Sequence, residues 1–428
     1  MISELGHDEA EQHIKRPRDE ESGDRSDDSG VTKEDRQNGD HDADVNQPLA
    51  DETLPGHRTT GIPPHMPIQS ARPGLMAAPL LSRPVRVGIL TGGGDCPGLN
   101  AVIRAAVRKG ERVYGDEMIG FLDAWDGVRD RRTTPLSIDS MRGMLPRGGT
   151  VLGTRRGSPF DTPDGVDHVK QTISDLGLDG LIVIGGNGSL SIACRLHSEH
   201  GLPILGVPKT IDNDIEGTDL TFGFTTAVQI ATDAIDRLHT TAESHDRVML
   251  VEVMGRHTGW IATHAGIAGG ATAVLIPEIP FDVEELCGRL IRRHDRGRFA
   301  SIVVVAEGAE PIAGTLEMGE KIYDRFGHVV LGGIATRVAH AIGDRTGFET
   351  RVVQLGHVQR GGTPTAFDRV LSTRFGVAAI DAVHDEQWGK MTVLKGEQIE
   401  LEDLTVAVGQ TRTVDRELFD GVAAHFFA

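Results

Sequence analysis

The chain has 428 residues and carries 63 acidic against 44 basic side chains, a formal net charge of −19, with 17 of the acids in its first 80 residues. That balance excludes nucleic-acid backbone binding as the main role, no apolar run approaches the roughly 18 residues of a membrane span, and MISELGHDEAEQH lacks the basic-then-apolar order of a signal peptide. Cys96, Cys194 and Cys287 are far apart and in no metal-ligand spacing, so a disulfide framework is excluded and a soluble, cytoplasmic protein is expected.

Residues 1–60 are rich in Asp, Glu, Ser and Gly with few large apolar side chains, and they predict a disordered acidic arm that cannot bury enough surface to offset ordering. Residues 61–84 mix proline with apolar residues and read as a linker. From Val85 onward, short Val/Ile/Leu runs alternate with amphipathic segments. The runs are VRVGILT (85–91), GLIVIGG (180–186), LPILGV (202–207), RVMLVEVM (247–254), ATAVLIP (271–277) and SIVVVAEG (301–308). Helical segments such as 100–113 and 227–245 fall between them, the pattern of parallel strands buried on both faces. The predicted fold class is α/β: a body over 85–428, long enough for two interleaved, doubly wound, Rossmann-like lobes with mostly parallel sheets. The last residues, 405–428, read as a packing element.

In such sheets ligands bind beyond the carboxyl ends of the strands, which is where the glycines gather here. The first strand runs into TGGGDCPGLN (91–100) and a helix, a second into GGNGSL (185–190), and a third into PKTIDND (208–214). Two of these loops offer backbone N–H groups at a helix N-terminus; the third offers an ammonium, a hydroxyl and two carboxylates. The glycine spacing is neither G-x-G-x-x-G nor a Walker A loop, so a dehydrogenase or P-loop reading loses its support.

With these loops in view, the sequence resembles the phosphofructokinase family. The matching pieces are GILTGGGDCPGLNAVIRA (88–105), GGTVLGTRR (148–156), IGGNGS (184–189), PKTIDNDI (208–215), TAESHDRVMLVEVMGRHTGW (241–260), AEG (306–308) and RVVQLGHVQRGGTPTAFDR (351–369). The resemblance implies transfer of a phosphoryl group to the 1-hydroxyl of fructose 6-phosphate, with Mg²⁺, in a cytoplasmic homodimer or homotetramer acting in glycolysis. It implies Asp212 as the base, with Thr210 and Arg256 as catalytic partners, and Asp214 at the metal with Asn187. It assigns the donor side to Gly94, Arg156, Gly157, Gly186, Asn187, Gly188, Ser189 and Lys209. It assigns the sugar phosphate to Thr210, Ile211, Asp212, Arg247, Met254, Gly255, Arg256, Glu307, Arg351, His357, Val358, Gln359 and Arg360, with Arg247 reaching across from a neighbouring subunit.

Departures from the family pattern also matter. Asn187 stands where the family usually has an acid that helps hold Mg²⁺, and Mg²⁺ prefers charged oxygen ligands. Gly188 leaves room for the α-phosphate of ATP, whereas Lys209 is the lysine of pyrophosphate-dependent members; ATP is the favoured donor and pyrophosphate the alternative. Ile192 replaces a glycine near the adenine, and Arg104 and Arg108 match an effector site of short bacterial members. Asn187 also keeps open a catalytically weak sugar-phosphate binder or regulatory subunit.

Overall fold

The computed structural model describes residues 83–319 and 331–427. The acidic arm and all but the last two residues of the linker lie outside the described residues. Strands β1 (Arg86–Gly92), β2 (Glu117–Phe121), β3 (Thr133–Leu136), β4 (Gly180–Gly185), β5 (Ile204–Thr210) and β6 (Phe222–Gly223) precede β7 (Val248–Val253), β8 (Ala273–Leu275), β9 (Ser301–Ala306), β10 (Thr350–Gln354), β11 (Lys390–Lys395) and β12 (Gln398–Asp403). The first sheet has the order β12-β11-β5-β4-β1-β2-β3, with β6 paired to β5; the second has the order β10-β7-β9-β8. Among the described strands, antiparallel pairing is confined to the outer pairs β2–β3 and β11–β12 of the first sheet. The α/β class with mostly parallel sheets is therefore what the chain adopts.

Helices α1 (Leu99–Lys109), α2 (Trp125–Arg129), α3 (Gly165–Asp175), α4 (Asn187–His200) and α5 (Phe224–His245) connect the early strands. Then α6 (Trp260–Ala268), α7 (Val283–Asp295), α8 (Ile334–Thr346) and α9 (Ala366–His384) follow. Each buried strand sends alternate side chains to opposite cores, as a period of two requires. Ile182 and Ile184 of β4, Met249 and Val251 of β7, and Ile302 and Val304 of β9 enter one central core shared by the two sheets. Leu181 and Val183 face an outer core of the first sheet, while Val248, Leu250, Val303 and Val305 face an outer core of the second. Because α9 packs on α1 and the chain then adds β11 to the first sheet, that sheet is built from both ends of the body.

The predicted strands are found with shifted ends. LPILGV continues through Pro208, Lys209 and Thr210, because β5 is flanked by β4 along its length and takes β6 at its carboxyl end. ATAVLIP shrinks to three residues at the sheet edge. Strands β2, β3, β10, β11 and β12 went unread because they are edge or near-edge strands with mixed polar composition.

Glycine occupies the N-cap of several helices and leaves their first N–H groups without a local side-chain partner. At three of them a carboxylate from elsewhere in the chain supplies it. Glu252 on β7, almost wholly buried, accepts from Gly333 and Ala335 at the start of α8 (2.9 and 3.0 Å). Glu278 accepts from Gly259 before α6 (3.0 Å), and Asp368 from Thr226 in α5 (2.8 Å). Among the described residues the starts of α1 and α4 receive no such carboxylate, and that of α4 lines the cleft described next.

Candidate active site

The carboxyl ends of β1, β4 and β5 open on a cleft of about 560 Å³. After β1, Gly93 sits at φ 80°, a left-handed conformation that glycine adopts freely. Next to it, a Cβ on Gly94 would stand 2.6 Å from Arg360 Nη1, so only glycine lets that guanidinium close onto the turn, where it donates to the Asp95 carbonyl (3.2 Å). After β4, the N–H groups at the start of α4 are uncapped, and a Cβ on Gly188 would meet no heavy atom within 4 Å. After β5, Lys209 is buried and its Nζ donates to the Gly94 carbonyl, which ties the third loop beneath the first. Burial holds that ammonium below its usual pKa.

Asp212 and Asp214 follow Lys209 on a turn whose middle residue, Asn213, has φ 53°. The Asp212 N–H donates to Thr210 Oγ1 (3.0 Å). Burial, and then the neighbouring Asp214 charge, push the Asp212 carboxyl up to about 7. Asn187 Nδ2 donates to Asp214 Oδ2 (3.0 Å). Asn187 Oδ1, Asp212 Oδ1 and Asp214 Oδ1 are buried without a hydrogen-bond partner. Three oxygens, two of them on carboxylates, left unsatisfied in one cleft form a donor set that fits a hard divalent cation such as Mg²⁺.

Of the residues expected on the donor and catalytic side, Gly94, Arg156, Gly157, Gly186, Asn187, Gly188, Ser189, Lys209, Thr210, Asp212 and Asp214 all line this cleft, and Arg360 joins them. Arg155, which reads from the sequence as a surface residue, lines it too, as do Ser158 and Asp161, which sequence reading passed over although GTRRGSPFD marks the turn that carries them. Ile211 is fully buried, so its side chain is core rather than lining.

At the carboxyl edge of the second sheet, Met254, Gly255 and Arg256 follow β7, Glu307 follows β9, and residues 357–360 follow β10. Burial raises the Glu307 pKa against the pull of Arg256, and its charge in turn adds to that felt by Asp212. His357 and Val358 are exposed. Gln359 corrects the sequence expectation for its side chain. It is fully buried, accepts from the Met254 N–H (3.4 Å) and donates to the Gly356 carbonyl (3.1 Å), so its amide joins two loops.

Arg247 and Arg351 occupy the other edge. Strands β7 and β10 run parallel, with Arg351 opposite Met249, so both arginines stand at the amino ends. Seven residues separate Arg247 from Met254, roughly 20 Å of strand. There they share Glu349, whose Oε1 lies 2.8 Å from Arg247 and 2.5 Å from Arg351. Arg351 was expected beside His357 without regard to subunit; within one chain it is not there, because the sheet separates them.

Two parallel-sheet lobes, uncapped helix ends and a paired-carboxylate loop define the class: an α/β protein built to hold a phosphorylated ligand against acid–base groups. Residues 86–383 match the model of the phosphofructokinase family, and the chain belongs to that family. It is 55% identical to a pyrophosphate–fructose 6-phosphate 1-phosphotransferase of Streptomyces coelicolor, over 80% of this chain and all of that one. It is 54% identical to an ATP-dependent 6-phosphofructokinase 3 of the same organism, over 77% of this chain and 96% of that one. Among solved structures, a Pichia pastoris phosphofructokinase in the T-state superposes with a TM-score of 0.67 at 31% identity, over 80% of this chain; the chain spans 36% of that longer protein.

Proposed function

We propose that this chain transfers the terminal phosphoryl group of ATP to the 1-hydroxyl of fructose 6-phosphate, giving fructose 1,6-bisphosphate, as a cytoplasmic glycolytic enzyme. The observation that carries the proposal is Asp212: a cleft carboxyl with a pKa of about 7, among uncapped helix ends, is matched to accepting an alcohol proton near neutrality. The uncapped N–H groups of α4 and the glycine turn after β1, with Arg156, would hold donor phosphates. Arg256 and Glu307 would bind the acceptor from the second lobe. Asp214 and Asn187 Oδ1 would hold Mg²⁺, which would supply neutralisation of phosphate charge. Arg247 and Arg351, remote from their own chain's cleft, fit a homodimer or homotetramer in which each serves the neighbouring subunit.

Open space at Gly188 supports ATP, since nothing there crowds an α-phosphate. Pyrophosphate is the second reading, favoured by buried Lys209 under the first glycine turn. Overall identity does not separate them, as relatives named for either donor stand within one percentage point. Turnover of purified protein with fructose 6-phosphate, Mg²⁺ and each donor tests the proposal. Activity with pyrophosphate alone replaces the first reading by the second; activity with neither sinks both.

A further inference from the structure

Residues 410–414 lie beyond the last position matched to the family model, and their sequence, QTRTV, announces no site. The structure lays them across the turn that carries Asp212 and Asp214. The Arg412 N–H donates to the Asp214 carbonyl (3.0 Å), Arg412 Nη1 donates to the Asn213 carbonyl (3.3 Å), and Thr411 pairs with Ile215 in an antiparallel bridge. The same guanidinium lies over the Trp260 ring at 4.3 Å, and Trp260 Nε1 donates to the Arg412 carbonyl (3.0 Å). Val414 then donates to Glu278, the carboxylate that also accepts from Gly259 at the start of α6.

The turn is gripped from two sides. Asn213 is in the left-handed region, which asparagine adopts more readily than other non-glycine residues. From one side its own Oδ1 accepts from the Thr221 N–H (3.0 Å). The Oδ1 atoms of Asp212 and Asp214 have no hydrogen-bond partner, and only Asp214 is steadied by a side chain, through Asn187, so the backbone of the turn bears directly on where Asp212 points. Among the described residues no carboxylate lies within ion-pair distance of Arg412. Its guanidinium meets a carbonyl and an indole ring.

We infer that Arg412 is a positioning residue for phosphoryl transfer: it clamps the backbone of turn 212–214 to Trp260 and so holds the two carboxylates in register. The inference rests on the phosphoryl-transfer reading above. Small displacements of reacting groups cost large factors in rate while leaving ground-state binding alone, and that is the signature to look for.

Arg412→Met keeps an apolar stem over Trp260 and removes the donor to Asn213. In the full chain it should lower kcat by about tenfold with the KM for fructose 6-phosphate within about twofold, and raise the Mg²⁺ concentration for half-maximal rate. Hydrogen exchange across residues 208–216, measured without substrates, should accelerate. Arg412→Lys, which can still donate to the carbonyl, should recover most of both. Unchanged kcat and exchange in Arg412→Met would overturn the inference. So would a lysine variant no better than methionine, or parallel loss of kcat, sugar-phosphate binding and thermal stability. Should Arg412→Met not fold, Trp260→Phe is the second probe. It retains a ring but loses the N–H to Arg412, so exchange over 208–216 should still accelerate, and unchanged exchange overturns the clamp. Wild-type protein inactive with both donors would refute the reading underneath, whereas the exchange result addresses the clamp by itself.

Discussion

In the first sheet, the glycine turns after β1 and β4 and the carboxylates after β5 stand at one edge and line one cleft. In the second, the residues assigned to the sugar phosphate are divided: Arg256, Glu307 and His357 follow the carboxyl ends, while Arg247 and Arg351 share Glu349 at the amino ends. A half-site gathered at one edge is finished when one chain folds. A half-site split across a sheet is finished only if a second copy brings its amino edge to the first copy's carboxyl edge. Under the proposed function, the donor half would be a property of the chain and the acceptor half a property of the assembly.

Variants can break that contrast. The largest effect is expected on the finished half: Asp212→Asn should lower kcat by about 10²-fold or more while fructose 6-phosphate still binds, the scale for losing a general base. A near-normal kcat would remove Asp212 from the mechanism. On the split half, Arg247→Ala or Arg351→Ala should raise KM for fructose 6-phosphate by about tenfold, because each removes a charge-assisted contact to a dianion. Refolding Asp212→Asn together with Arg247→Ala should then restore about a quarter of wild-type activity when assayed at fructose 6-phosphate well below KM, since half of randomly formed dimers are hybrids and each regains one intact site. No recovery in the mixture would mean that the arginines act within their own chain.

Smaller effects sharpen the comparison. With a folded-state pKa of about 7, Asp212 holds its proton below that pH and cannot accept another, so kcat should rise as pH climbs through about 7 at low Mg²⁺. A nearby cation favours the carboxylate, so more Mg²⁺ should move this limb to lower pH; a limb indifferent to the metal would separate Asp212 from the cation site. The smallest change is expected from Asn187→Asp. In the present structure the amide N–H at this position satisfies Asp214, and a carboxylate would instead repel it until a cation binds. The Mg²⁺ requirement should fall severalfold; an increase would remove residue 187 from the metal site.

The same contrast governs what could be read from the chain alone. The donor loops are local: a strand, a glycine turn and a helix follow one another within some fifteen residues, so TGGGDCPGLN and GGNGSL announced both the strand end and the uncapped helix. The PKTIDND loop was equally readable, including the carboxyl-edge location of Asp212. Which edge holds Arg351 was not, because RVVQLGHVQR places it six residues from His357 and only strand β10 turns that spacing into opposite ends of a sheet. Gln359 was misjudged for a related reason: its amide is consumed by Met254 and Gly356, partners that become neighbours only when β7 and β10 pair. The hold of residues 410–414 on the catalytic turn combines main-chain bonds, which leave no trace in side-chain identity, with one arginine whose partners are a distant carbonyl and ring.

The carboxylates that satisfy α5, α6 and α8 bear on how this protein reaches its native state. Asp368 lies 142 positions from the N–H it accepts and Glu252 lies 81 from its own, so neither can help its helix until distant chain has arrived. An N-cap two or three residues away assists a helix as soon as it nucleates; these act late. Folding is thereby shifted toward long-range closure, which is slow and strongly cooperative. A fragment ending before Asp368 would make α5 with its amino end unsatisfied. Refolding from denaturant is accordingly expected to regain helix content and turnover together, with little helix recovered ahead of activity.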